Sequence, residues 1–472
     1  MIKKDFHIAL VLFFTLFFLT SLLALFTSYK YWDETIYANL GRNMVLYHEY
    51  SFLHGFSDFY PKLPLAGSRP PMLPLIVAFI SLFSFNSFLL NFIVPLISAF
   101  GVVFLFLFCK KLFNREIAFF SALLLMLLPS FFFWSSKLLH DAIVITYLII
   151  ASYFFFDAFI FDNTNKKAIV SSLLFGFFIA ISFLTRYNVP WIFPVFFLVL
   201  LIKYKNFSFL RDKKIWLSIL TFAIVTVPWF VFNYLNYHSL FGFLESSAKA
   251  SVRWGARTIF FYFGTLMRDY WFLLPFFVFG LFVNFRLKAA KSNKYFFMLW
   301  FFIIFIAASL TPAKEDRYLI MIAPSLCVIS AFTFYYLRRK AKVLFYITLS
   351  LLLIIMLFAV ANYFQKAQLQ NISDEQKCFF SAMEYIKNSN TAAVVTEHFS
   401  PVYFYTQVPN IRVNNYTIIE SLIKGEYKRK EVLYFYASGD WFNLKSEKPD
   451  LNLLYSCDKY NIFNISNQNN LL

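Results

Sequence analysis

Runs of apolar residues close to the ~20 needed to cross a hydrocarbon core recur along this 472-residue chain. They fall at 6–28, 88–108, 117–136, 142–160, 168–185, 189–202, 215–234, 270–285, 295–311, 317–336 and 343–363. A further apolar stretch, 71–85, begins at Pro70-Pro71 and contains Pro74. It is too short to span, and reads as a juxtamembrane helix. The polar breaks are mostly basic: Lys3-Lys4, Lys110-Lys111-Arg115, Lys166-Lys167, Lys203 to Lys214, Arg286 to Lys294 and Arg338 to Lys342. Basic loops favour the cytoplasmic side. All six clusters fit there if the chain makes about 11 crossings, with its N-terminus inside and its C-terminus outside.

The outer face then collects a first loop at 29–87, a second long loop at 235–269 and three charged turns. From Gln365 the pattern becomes polar. Cys378 to Lys387 reads as a helix, and Thr391–Thr396 and Glu431–Tyr436 read as buried strands. The expectation is a polytopic α-helical membrane protein over 1–364, followed at 365–472 by a small extracytoplasmic soluble α/β domain. That domain is expected to cover a site on this face or to recognise what binds there.

Composition changes this picture little. The chain is 60% hydrophobic and 14% charged, with a mean hydropathy of +0.63. Its formal charge of +18 often signals nucleic acid. Here the cations sit in loops between spans, so membrane lipid headgroups are the expected partner and nucleic acid is not. The 69 Phe residues are lipid-facing and core bulk. Only 11 Gly leave few sites for the broken, closely packed helices of carriers. Lys3 and Lys4 precede an apolar run without a small-residue cleavage site, which reads as a retained anchor. Cys378 and Cys457 share the C-terminal segment, where an oxidising compartment permits but does not require a disulfide. No Gly-rich phosphate loop is present. The six His are scattered, so a divalent metal is not indicated, although His238 and Glu245 in the second long loop stay open as ligands.

Charge in such a chain needs a reason. Asp33 and Glu34 follow the first span, and acids at a membrane boundary are costly to hold and usually mark function. The bland alternative, a helix N-cap, contributes about 1 kcal/mol and accounts for one acid, not two. Tyr37 shares a helix face with Asp33, and Arg42 follows. His140-Asp141 opens the fourth span, where a cap is again the simpler reading. Arg186 ends the fifth span as a snorkelling anchor would. Arg69 precedes two prolines, and Lys314 and Arg317 flank Glu315-Asp316, with which they could simply pair. The functional case is convergence: acids and guanidinium groups from separate spans gather on one face, as an anionic membrane-embedded substrate requires.

These residues resemble a known set. Asp33-Glu34-x-x-Tyr37-Ala38-x-x-x-Arg42-x-Met44 is similar to the first-loop signature of the GT-C glycosyltransferases, in the protein O-mannosyltransferase and aminoarabinose transferase group. Arg69-Pro70-Pro71-Met72, Leu139-His140-Asp141-Ala142, Leu184-Thr185-Arg186 and Arg317-Tyr318-Leu319 resemble further elements of that group, in order, over roughly 1–340. The resemblance implies a GT-C fold and transfer of a sugar from a polyprenyl-phosphate donor to an acceptor hydroxyl on protein, lipid or glycan, outside the cytoplasm. It implies that Asp33 takes the acceptor proton, in a displacement with inversion. Glu34 and Asp141 then shape the sugar and acceptor site. Arg69, Arg186 and Arg317 hold the lipid phosphate, whose charge grows as the bond breaks. Tyr37, Arg42, His140, Lys314 and Tyr318 complete the expected substrate-binding set. The aminoarabinose transferases carry Glu-Lys where this chain has Ser68-Arg69, so the resemblance does not extend to the acceptor.

Two other readings compete. A lipid-linked glycan flippase requires polar residues along several spans, whereas charge here gathers at the ends. A polysaccharide polymerase requires a diphosphate-linked donor, and the resembling motifs speak against it.

Overall fold

The computed structural model describes residues 2–27, 32–51, 69–161, 165–245, 257–287, 289–311, 314–389, 391–396, 398–408, 410–412, 431–437, 452–458 and 460–464. Among them, eight helices are long and apolar enough to cross a membrane: Lys4–Phe26, Ser87–Leu112, His140–Ile160, Asn165–Thr185, Lys213–Asn236, Lys291–Leu310, Asp316–Lys340 and Lys342–Gln370. Two bent pairs raise the number to ten if each is one span. The expected count was about 11, and the difference is the run at 189–202, which forms the shorter apolar helix Val189–Tyr204. The run at 71–85 forms the short helix Met72–Ser81.

The bent pairs have chemical causes. Arg115–Leu127 and Pro129–Ser135 meet at 63°. Leu128 is extended (φ −60°, ψ 116°) and Pro129 opens the second helix, as expected for a residue ahead of proline and for proline at a helix start. Phe261–Asp269 and Leu274–Arg286 meet at 100°, with Pro275 in the first turn of the second. One hydrogen bond joins the two breaks, from Ser130 Oγ to Tyr270 Oη at 3.1 Å.

The described chain divides into two compact units. The first comprises the described parts of Met1–Ala24, Gly67–Leu73 and Asn91–Tyr363. The second comprises those of Leu25–Ala66, Pro74–Leu90 and Phe364–Leu472. The last piece begins next to the boundary expected from polarity alone. Two segments of the expected outer loop join it, because the helix Trp32–Leu46 buries one face against residues of the C-terminal part.

Among the described spans His140–Ile160 and Asp316–Lys340, both in the first unit, are the most deeply buried: 89% of each apolar window is buried, against 22% for Lys342–Gln370. Asn165–Thr185 packs on Lys213–Tyr237 so closely that a β-carbon added at Gly176 would overlap the Ser218 carbonyl. Ser218 Oγ donates to Ser172 O at 2.9 Å across the same contact.

In the second unit, strands β1 (Thr391–Thr396), β2 (Asn410–Arg412), β3 (Glu431–Ala437), β4 (Asn452–Cys457) and β5 (Tyr460–Asn464) form one sheet in the order β2-β1-β3-β5-β4. β1 runs parallel to β2 and β3, and β5 antiparallel to β3 and β4. Ser373 caps the helix Asp374–Asn388 by accepting from Gln376 N. That helix lays Phe379, Ala382, Met383 and Ile386 on Val394, Leu433, Phe435 and Ile462. Its apolar side chains recur at the three- and four-residue spacing of one helical face. Cys378 and Cys457, left open by the sequence, are bonded, with Cα atoms 5.3 Å apart.

Candidate functional site

Asp33 and Glu34 stand in the first turn of the helix Trp32–Leu46, in the second unit. Acidic side chains are favoured there, at the positive end of the helix dipole. Asp33 is partly exposed and Glu34 is buried. Tyr37, one turn on, is buried as well. Arg42 is buried, donates to Phe85 O at 3.0 Å and lies with its guanidinium carbon 4.6 Å from the Phe404 ring centre. Burial lowers the Arg42 pKa and raises that of Tyr403 on the facing helix. In this structure Tyr37 and Arg42 are packed into the second unit itself.

The first unit contains the other expected residues, and there the structure makes a connected network. Asp141 lies in the first turn of its helix, but Leu139 holds the cap position. The capping reading of Asp141 is therefore replaced by an ion pair: Arg186 Nη1 donates to Asp141 Oδ1. The sequence had put these two residues in different roles, with no hint that they touch. The aspartate is 0% exposed and the arginine 4%. Asp141 Oδ2 and Arg186 Nη2 have no partner among the described residues.

From Arg186 the network runs on. Its guanidinium carbon lies 4.5 Å from the Tyr318 ring centre, a cation–π contact. The guanidinium carbon of Arg317 lies 5.9 Å from the same ring. Tyr318 Oη donates to Glu315 Oε1 at 3.1 Å, and Arg317 Nε to Glu315 Oε2 at 2.5 Å. Tyr262 Oη donates to the Glu315 carbonyl at 3.2 Å. Thr265 Oγ1 donates to Asp316 Oδ1 at 2.8 Å, while Arg268 binds Asp316 Oδ2 at 2.9 Å.

Of the cations flanking Glu315-Asp316, Arg317 does pair within its own turn. Lys314 does not. The residue is 6% exposed, and its ammonium donates to the carbonyls of Arg257, at 3.0 Å, and Thr311. Three N–H groups on lysine against two carbonyls leave one donor over among the described residues. Arg69 is partly buried, and its carbonyl accepts from Tyr187 Oη at 3.3 Å. His140 is buried next to Asp141.

Thus the structure joins Asp141, Arg186, Arg317 and Tyr318 in the first unit, and places Asp33, Glu34, Tyr37 and Arg42 on one helix of the second. Sequence reasoning passed over Glu315 as a bridge, and over Tyr262 and Thr265, which fix its turn. The signal was present: two acids between two cations after an apolar run. Among the described residues, no three His, Cys, Asp or Glu side chains gather as a metal site.

A multi-pass helical unit with charged turns at its helix ends, and a second unit built on a mixed sheet, define a class that comparison with known proteins makes specific. Residues 68–232 match the family described as dolichyl-phosphate-mannose-protein mannosyltransferase. No curated protein sequence matches the chain. The fold is similar to that of ArnT from Cupriavidus metallidurans bound to undecaprenyl phosphate: TM-score 0.75 at 13% identity, over 99% of this chain and 98% of that one. The apo state of ArnT gives 0.73 at 15% identity, over 98% and 97%. An Archaeoglobus fulgidus oligosaccharyltransferase gives 0.61 at 13% identity, over 91% of this chain and 69% of that one. The resemblance read from the motifs is supported by the family match over 68–232, and the fold is that of these solved structures over nearly the whole chain.

Proposed function

We propose that the protein is an inverting glycosyltransferase that moves a sugar from a polyprenyl-phosphate donor to an acceptor hydroxyl on the extracytoplasmic face of the plasma membrane. The observation that carries it is the state of Arg186: buried, paired with Asp141, and still holding Nη2 without a partner among the described residues. A buried guanidinium with an unused donor suits an anionic oxygen, and a phosphate charge that grows in the transition state is held more tightly there than in water. Lys314, with one donor left over among the described residues, suits the same phosphate. Arg317, which donates to Glu315 Oε2 and lies 5.9 Å from the Tyr318 ring centre, contributes to holding the phosphate in this reading. The similarity to a fold seen with undecaprenyl phosphate supports a donor of this chemistry.

In this reading Asp33 accepts the proton of the acceptor hydroxyl as the oxygen attacks the anomeric carbon, and the lipid phosphate leaves with the bonding electrons. Glu34, Asp141 and His140 line the sugar and acceptor positions, and Arg69 contributes to holding the phosphate. The acceptor is a protein, lipid or glycan hydroxyl. The paired Cys378 and Cys457 support an oxidising compartment for the second unit, and the basic loops support the same orientation for the spans.

The test uses the purified full chain in nanodiscs with a panel of undecaprenyl-phosphate hexoses and pentoses, reading release of undecaprenyl phosphate. Asp33→Asn is expected to lower turnover by about a hundredfold or more, with the fold intact. Near-normal turnover in that variant removes Asp33 as the base. Movement of labelled lipid across vesicles with no glycosidic bond formed would point instead to a flippase.

A further inference from the structure

The helix that carries the two acids also carries a second, different face. Thr35, Asn39, Arg42 and Asn43 are all buried, and their spacing lines one side of a helix. The helix Phe399–Thr406 meets that side with Ser400, Tyr403 and Phe404, which share a face of their own. Thr35 Oγ1 lies 2.9 Å from Ser400 Oγ. Asn39 Nδ2 donates to the Ser400 carbonyl at 3.1 Å. Tyr403 Oη donates to Asn43 Oδ1 at 3.2 Å, and Arg42 lies over the Phe404 ring. On another side, Gly41 approaches the short helix at Val77 and the Pro74 carbonyl so closely that a β-carbon would overlap both.

At 3.6 residues per turn, Asp33 projects roughly 130° around the axis from the middle of this polar face. The face is therefore distinct from the reactive one, and its contacts set how the helix is rotated and how high it stands. Ser400 engages two successive turns at once, its hydroxyl on Thr35 and its carbonyl on Asn39. A rotation or a one-turn slide breaks both contacts together.

We propose that Ser400 is a positioning residue for the Asp33–Glu34 pair, and that the helix Phe399–Thr406 acts as a brace that fixes the acidic helix through it. The proposal rests on the reading of Asp33 as the base. A reacting carboxylate misplaced by about 1 Å loses much of its rate, so the brace acts on turnover and not on donor binding.

The test compares Ser400→Ala, Ser400→Thr, Asp33→Asn and the Ser400→Ala/Asp33→Asn double variant of the full chain, with the same panel of undecaprenyl-phosphate sugars. Ser400→Ala is expected to lower kcat by on the order of ten- to a hundredfold, with KM for the lipid donor unchanged. Ser400→Thr keeps a hydroxyl and is expected to recover most of the loss. Because Ser400 acts through Asp33, the alanine change costs little more in the Asp33→Asn background, the non-additivity of residues that work as a unit. Hydrogen exchange of the Trp32–Leu46 amides is expected to quicken in Ser400→Ala while that of His140–Ile160 stays as it was. Wild-type kcat in Ser400→Ala beside a strongly impaired Asp33→Asn overturns this proposal alone. An equal loss in both backgrounds, or a rise in KM without a fall in kcat, does the same. Wild-type turnover in Asp33→Asn overturns the base assignment and the proposal with it. Should Ser400→Ala not fold, Thr35→Val removes the other partner of the same bond and carries the same expectations.

Discussion

The two ends of the helix His140–Ile160 each carry an aspartate, and they are treated in opposite ways. At the start, Asp141 has one cation, Arg186, and the pair retains an acceptor and a donor unpartnered among the described residues. At the end, Asp157 takes Lys111 on Oδ1 and Lys167, at 3.7 Å, on Oδ2. Lys203 donates to the carbonyls of Phe159 and Ile160, and Lys214 to that of Ala158. An acid in a last helical turn opposes the helix dipole, whereas one in a first turn is favoured by it. The unfavourable position is thus filled with partners, and the favourable one is left incomplete. Both aspartates are almost fully buried, so exposure does not account for the difference. The difference separates an anchor, closed on itself, from a site that keeps bonding capacity for something else.

Mutation can break or sharpen that contrast. The largest effect is expected from Asp141→Ala, which strands a buried guanidinium and costs about 3–5 kcal/mol of stability, read by chemical denaturation, together with sugar transfer. Combining Asp141→Leu with Arg186→Met replaces the pair by apolar side chains. Most of the stability is expected to return, as for other buried pairs, and none of the transfer. Normal transfer in the double variant would make the pair an anchor like the other.

A middle effect is expected from Asp157→Asn. Lys111 and Lys167 have side chains 28% and 54% exposed, so water takes over part of their solvation and the cost is about 1–2 kcal/mol. Transfer should be unchanged, measured on the same nanodisc preparation. A loss of transfer as large as that of Asp141→Ala would erase the contrast. The smallest effect belongs to Lys203→Met, which removes one cation from the helix end for about 0.5–1 kcal/mol. Its checks are a slightly lower denaturation midpoint and an unaltered kcat.

Most of the spans were legible because lipid leaves the backbone few choices: an apolar run of sufficient length must be helical. The breaks inside them were less so. The run at 117–136 was read as one span although Pro129 stood in it, and it bends there. The helix Phe261–Asp269 lay inside what was read as loop, since its Arg268 and Asp269 interrupt the apolar pattern. In the site, the ends of spans identified Asp141, Arg186 and Arg317 as residues of interest, because each is a charge without a reason in an apolar chain. Their partnerships were not legible. Arg186 lies 45 residues from Asp141, and nothing local specifies that one answers the other. Ser400 carried no signal at all: a serine on a short helix is ordinary, and its partner Thr35 is 365 residues away.

The lysines around Asp157 also have a bearing on the order in which the protein is made. A chain emerges from its N-terminus, and its parts fold as they become available. Every cation that closes the Asp157 end, from Lys111 to Lys214, has been synthesised before Phe261 appears. The Asp141 end waits for Glu315, Arg317 and Tyr318 to complete the network around Arg186. The partners of one end of this helix are thus available early in synthesis, and those of the other only when the late spans arrive.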